Sequence, residues 1–110
     1  MEDDRLPTSL WVDAHLRRLD LSATPYYVLN KGAPASGTVM IKINGIENGC
    51  LLLQQQRDLD GVMGWMRMLD GQDEKRIDLY IKQCLDRDPD LWVIEVEDRA
   101  LENPFEGNVF

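Results

Sequence analysis

The spacing of apolar residues changes period three times along this chain, and such a change restricts the fold to helices packed on a sheet. From Ser9 to Asp20 the period is helical: Trp11, Val12, His15, Leu16 and Leu19 share one arc, with Asp13, Arg17 and Asp20 opposite. Pro7 and the Thr8-Ser9 pair mark the start of this helix, and the Ser-Ala-Thr-Pro run at 22–25 ends it. The period then becomes two. Tyr26–Asn30, Thr38–Asn44, Gly49–Gln55 and Val62–Met68 read as strands, separated by Gly32-Ala33-Pro34, by Asn44-Gly45 with Asn48-Gly49, and by Asp60-Gly61. Short connections of this kind join antiparallel neighbours, so a meander is expected.

After Asp70-Gly71 the helical period returns. Ile77, Tyr80, Ile81, Cys84 and Leu85 form its apolar face, Asp70 or Asp73 supplies the cap, and Asp88-Pro89-Asp90 is the stop. Leu91–Glu97 is the last strand, which the intervening helix makes parallel to the fourth and places beside the first, antiparallel to it. The expected fold is therefore α+β: an antiparallel sheet of about five strands with two helices packed on one face, in the order α-β-β-β-β-α-β. One domain over 9–99 is expected, with an N-terminal tail at 1–8 and a C-terminal tail at 100–110; there is no repeat and no low-complexity tract.

Composition excludes several functions. Twenty Asp and Glu against twelve Lys and Arg leave a net charge of −8, and the only basic doublets, Arg17-Arg18 and Lys75-Arg76, adjoin acidic residues. Nucleic-acid binders gain affinity by neutralising phosphates, so neither nucleic acid nor an anionic membrane is an expected partner. No apolar run approaches the ~18 residues of a membrane span, and the opening Met1-Glu2-Asp3-Asp4 is acidic where a signal peptide is basic. Two cysteines 34 positions apart do not make a disulfide framework. A cytoplasmic protein is expected.

Three groups of residues resemble an uncharacterised family of small alphaproteobacterial proteins, domain-of-unknown-function family 1491. They are the closing run Asp88-Pro89-Asp90-Leu91-Trp92-Val93-Ile94-Glu95-Val96-Glu97-Asp98-Arg99, the opening Trp11-Val12 followed by Leu16-Arg17-Arg18, and Gly37 leading into Val39-Met40-Ile41-Lys42-Ile43-Asn44. The resemblance covers most of residues 9–99. It implies no activity, ligand or catalytic residue. His15 departs from it, standing where the family pattern has an aliphatic residue, which argues against His15 as a family-wide catalyst.

The residues themselves offer little for catalysis. His15 is the only histidine and lies within an apolar arc, where a hydrogen-bonded core imidazole is the simpler reading, since burying it unpaired costs ~1–3 kcal/mol. Cys50, beside Leu51-Leu52-Leu53, and Cys84, on the apolar helix face, read as small hydrophobes rather than thiolates. A structural zinc site takes four N or S ligands, and this chain has three such side chains. No metal and no cofactor is expected.

Glu95 and Glu97 share one face of the last strand, and Lys42 is on the corresponding face of the second. A charge-paired, solvated surface is the expected role of Lys42, Glu95 and Glu97. On that same face lie Met40, Leu91 and Val93, with Trp65 or its neighbours from the fourth strand. An apolar patch there is covered either by the 100–110 tail or by another chain, which makes Met40, Leu91, Val93 and Trp65 the interface candidates. The expected function is a non-catalytic interaction protein, a homodimer or an adaptor, and not an enzyme. The alternative is a small carboxylate-dependent hydrolase, Mg- or Mn-assisted, using Glu95, Glu97 and Lys42.

Overall fold

The computed structural model describes residues 6–110. Residues 1–5 of the expected N-terminal tail lie outside the described residues. The elements are α1 (Thr8–Leu21), β1 (Tyr26–Asn30), β2 (Val39–Asn44), β3 (Cys50–Arg57), β4 (Met63–Gln72), α2 (Glu74–Arg87) and β5 (Trp92–Glu97), in the order read from the sequence.

The sheet order is β1-β5-β2-β3-β4. β5 pairs antiparallel with β1, as expected, but it also inserts between β1 and β2 and runs parallel to β2. The sheet is mixed, and the meander holds only for β2, β3 and β4. β4 is longer than its periodicity suggested because it continues through Asp70-Gly71 to Gln72. Two register shifts against β3 absorb the extra residues, and Gly71 takes the left-handed φ of 70° that such a bulge requires.

The helices lie on opposite faces of the sheet, which corrects the expectation of two helices on one face. On the first face, α1 packs Val12 and Leu19 against Val39, Ile41 and Ile43 of β2 and Trp92, Ile94 and Val96 of β5. On the second, α2 packs Ile77 and Ile81 against Met40, Leu52, Leu91 and Val93. The reason is in β2, whose first five residues are all buried, whichever way they point. A central strand apolar on both sides needs cover on both, and a helix on each face supplies it.

Asp73 caps α2 by accepting a hydrogen bond from the Arg76 N–H on Oδ1 at 2.9 Å. α1 has no side-chain cap; Thr8 and Ser9 instead tie its first turn to the 34–37 loop, donating backbone N–H groups to the Ala35 and Pro34 carbonyls. The 100–110 segment folds back on the α1 face. Phe105 enters the core, and Val109 pairs in parallel with Trp65, so residues 108–110 cover part of the β4 edge.

Candidate functional site

Among the described residues, Lys42 is the buried charged side chain, and three carboxylates gather around it. Its place in the middle of β2 puts its side chain on the α2 face, where it is 2% exposed. A buried ammonium is costly unless it is paired and hydrogen-bonded. Nζ donates to Glu74 Oε2 and to Asp78 Oδ1, both at 2.7 Å, and Glu95 Oε1 lies 3.4 Å away. Glu95 in turn accepts from Asn44 Nδ2 at 3.2 Å. Burial alone would lower the affinity of Lys42 for its proton. The hydrogen bonds to Asp78 and Glu74 and the charges of Glu95 and Asp78 outweigh it and hold the ammonium well above its ordinary pKa.

Local structure explains the convergence. Lys42 and Glu95 are lateral neighbours in the parallel β2–β5 register. Glu74 and Asp78 are one helical turn apart on α2 and flank the apolar stripe of Ile77 and Ile81 that docks on this face. Glu74 and Asp78 are about half exposed, so the lysine stem is covered while its charged end reaches the rim of the helix–sheet seam.

The expected pairing of Lys42 with Glu95 is present. The expected setting is corrected: this is not an exposed surface, because α2 covers it. Glu97, two residues on, has no ion pair among the described residues and stands apart from Lys42. Glu74 and Asp78 were not recognised from sequence. Their signal was available, since a lysine amid strand residues buried on both faces demands carboxylates, and an acid pair at i, i+4 begins the next helix.

Met40, Leu91, Val93 and Trp65 are all inside the protein. α2 covers the first three. Trp65 lies on the other face, fully buried, its Nε1 donating to the Glu106 carbonyl at 2.9 Å and its ring edge-on to Phe105. The premise that they line an open apolar face is therefore corrected, because two helices and the C-terminal segment occupy both faces.

His15 is a core residue. Its Nδ1 donates to the Trp11 carbonyl at 2.8 Å, and its ring stacks on Phe105 with an interplanar angle of 8°. A carbonyl only accepts, so Nδ1 carries a proton, and the buried Nε2 has no hydrogen-bond partner among the described residues. Cys50 is buried below α2, and both burial and the Glu74 carboxylate favour its thiol over its thiolate. Cys50 and Cys84 are free.

An open groove of about 420 Å³ lies between the sheet and the C-terminal segment, lined by Leu51, Arg67, Leu101, Asn103, Asn108 and Val109 among others. None of Lys42, Glu95, Glu97, His15 or the two cysteines faces it. Among the described residues no group of three His, Cys, Asp or Glu side chains is arranged to hold a metal ion, and no helix is long and apolar enough to cross a membrane.

The profile of DUF1491, a family of proteins of unknown function, matches residues 6–106. The chain belongs to the DUF1491 family. A crystal structure of a DUF1491 family protein from Caulobacter crescentus superimposes with a TM-score of 0.86 at 31% identity, covering 96% of this chain and 100% of that one. An NMR structure of a DUF1491 protein from the same organism gives a TM-score of 0.81 at 31% identity and covers 96% of each chain. A solution structure of a protein from A. tumefaciens shares the fold, with a TM-score of 0.71 at 23% identity over 84% of this chain and 86% of that one. No functionally curated protein matches.

Proposed function

We propose that this DUF1491 protein is a non-catalytic interaction module of the cytoplasm, and that its working surface is the outer edge of β1. The observation that carries the reading is the contrast between the two edges of the sheet. At β4, residues 108–110 supply backbone partners to Trp65 and Arg67. At β1, among the described residues, only β5 is bonded, on the inner side, and Tyr27, Val28 and Leu29 are 52%, 43% and 45% exposed. Edge strands are ordinarily blunted by charge, proline or a covering segment. Leu21–Asn30 carries no charge in a chain that is 29% charged, which suits recognition by strand addition.

The hydrolase alternative draws on Lys42 and Glu95. The lysine is already held by three carboxylates, a state suited to pinning α2 to the sheet rather than to accepting a proton or a metal ion. The two readings separate in one experiment. A photo-crosslinking phenylalanine analogue in place of Tyr27 is expected to form a protein adduct in native cells, and the same group in place of exposed Leu79 is not. No adduct at Tyr27, with a Mn-dependent rise in Tm that Glu95→Gln abolishes, would replace the interaction reading with the hydrolase.

A further inference from the structure

The β1 edge can be read residue by residue. Glu97 N–H donates to the Pro25 carbonyl at 3.0 Å, and Tyr27 stands opposite Glu95. In an antiparallel ladder, positions that exchange hydrogen bonds alternate with positions that do not. Pro25 and Tyr27 therefore face β5, while the N–H and C=O groups of Tyr26 and Val28 point away from the sheet. No turn or loop hydrogen bond among the described residues reaches those four groups. A bulge after Val28 shifts the register, so the regular edge is Tyr26-Tyr27-Val28.

We propose that this edge is filled by a second copy of the same chain, paired antiparallel about a two-fold axis through Tyr27, joining two five-stranded sheets into one. The proposal rests on the interaction reading above and names its partner. Three observations favour self-pairing. First, with Tyr27 on the axis, Tyr26 of each copy is opposite Val28 of the other, so the four outward groups of each chain meet their complements. Tyr27 meets its counterpart at a non-bonded position, where side chains approach most closely.

Second, the side chains match. Tyr26 and Val28 share the α1 face with Val96 and Ile94, and Tyr27 shares the α2 face with Glu95. Pairing gives two Tyr–Val contacts on one face and one Tyr–Tyr contact on the other, combinations that stabilise antiparallel pairs. Third, the charges at the two ends of β1 are complementary. Lys31 follows the strand and has no ion pair among the described residues. The two-fold brings it to the Ala23 end of the other copy, where Ala23 N–H is bonded to the Asp20 carbonyl and the Asp20 carboxylate accepts from the Tyr26 hydroxyl. The Asp20 carboxylate therefore stands at that end; burial raises the Tyr26 pKa, and the Asp20 hydrogen bond and the charges of Asp20 and Asp13 add to it.

Sedimentation velocity on the full chain tests the proposal. The wild type is expected to sediment as a dimer of twice 12.7 kDa and to dissociate on dilution. Tyr27→Lys sets two ammonium groups together on the axis and is expected to raise Kd at least about tenfold, equivalent to about 1.4 kcal/mol, leaving the circular dichroism of the monomer unchanged. Lys31→Glu is expected to weaken the dimer, and Lys31→Glu combined with Asp20→Lys to restore it. A wild type that stays monomeric to about 100 µM, well above the Kd of ordinary specific interfaces, overturns the proposal. So does a dimer indifferent to Tyr27→Lys, or a charge swap that fails to restore association. If the Tyr27 crosslink then forms to a different protein, the interaction reading stands and the second copy is replaced as its partner.

Discussion

Replacing Trp92 by Ala is expected to cost about 3–5 kcal/mol, a large part of the stability of a domain this size. Trp92 opens β5 and is buried against Val39 and Ile94 in the α1-side core. Its Nε1 donates to the Ala33 carbonyl at 2.8 Å. The 31–37 loop closes down on it so tightly that a Cβ on Gly32 would collide with the Asp90 carbonyl. The same loop anchors the start of α1 through Pro34, Ala35 and Gly37. Truncation therefore empties a core site and also loosens the seat of α1. Urea denaturation followed by far-ultraviolet circular dichroism reads the loss directly. Trp92→Phe, which keeps most of the bulk but leaves the Ala33 carbonyl only the longer bond from Gly37 N–H at 3.4 Å, is expected to cost less, about 1–3 kcal/mol. A midpoint in Trp92→Ala close to that of the wild type would contradict this packing.

Replacing Lys42 by Met is expected to cost about 3 kcal/mol at neutral pH, because removing one partner of a buried ion pair strands the other. Glu95, 13% exposed, would keep only Asn44 as a partner and would face Glu74 and Asp78 without an intervening cation. Glu95→Gln is expected to cost under about 1 kcal/mol, since Glu74 and Asp78 still hold the ammonium. The pH dependence identifies the group. Folding raises the Lys42 pKa above its ordinary 10.5. Its stabilisation is therefore complete below pH 10.5 and is lost as pH climbs from there through the folded value. The wild type and Lys42→Met should converge in stability over that alkaline range. A stability difference that stays constant through it would remove Lys42 as its source.

Most of the local structure was legible in the sequence, and the long-range arrangement was not. The phases of β2 and β5 follow from alternation alone: Val39, Ile41 and Ile43 on one side, Met40 and Lys42 on the other, with Trp92, Ile94 and Val96 against Leu91, Val93 and Glu95. The stripes of α1 and α2 and the Asp73 cap follow from helical spacing and cap chemistry. Which face each helix covers does not follow from its own stripe, since Ile77 and Ile81 would fit either side of an apolar sheet. The clue was Met40, Leu91 and Val93, apolar residues on the supposed open face that demanded cover from the chain itself. The insertion of β5 between β1 and β2 is set by pairings between residues far apart in sequence, such as Ile41 with Ile94, to which local periodicity is blind. The Lys42 cluster was half legible for the same reason. Its strand neighbour Glu95 could be placed by phase, whereas Glu74 and Asp78 reach it only once α2 has docked.

Amide hydrogen exchange, resolved by residue along β1, tests the central claim most directly, because the alternation assigns each N–H a different neighbour. In concentrated wild-type protein the Tyr26 and Val28 amides are expected to be protected, and in Tyr27→Lys they should exchange rapidly. The amide at position 27, bonded to β5 within its own chain, should stay slow in both. If Tyr26 and Val28 exchange equally fast in the two proteins, the β1 edge is not the surface through which this protein works.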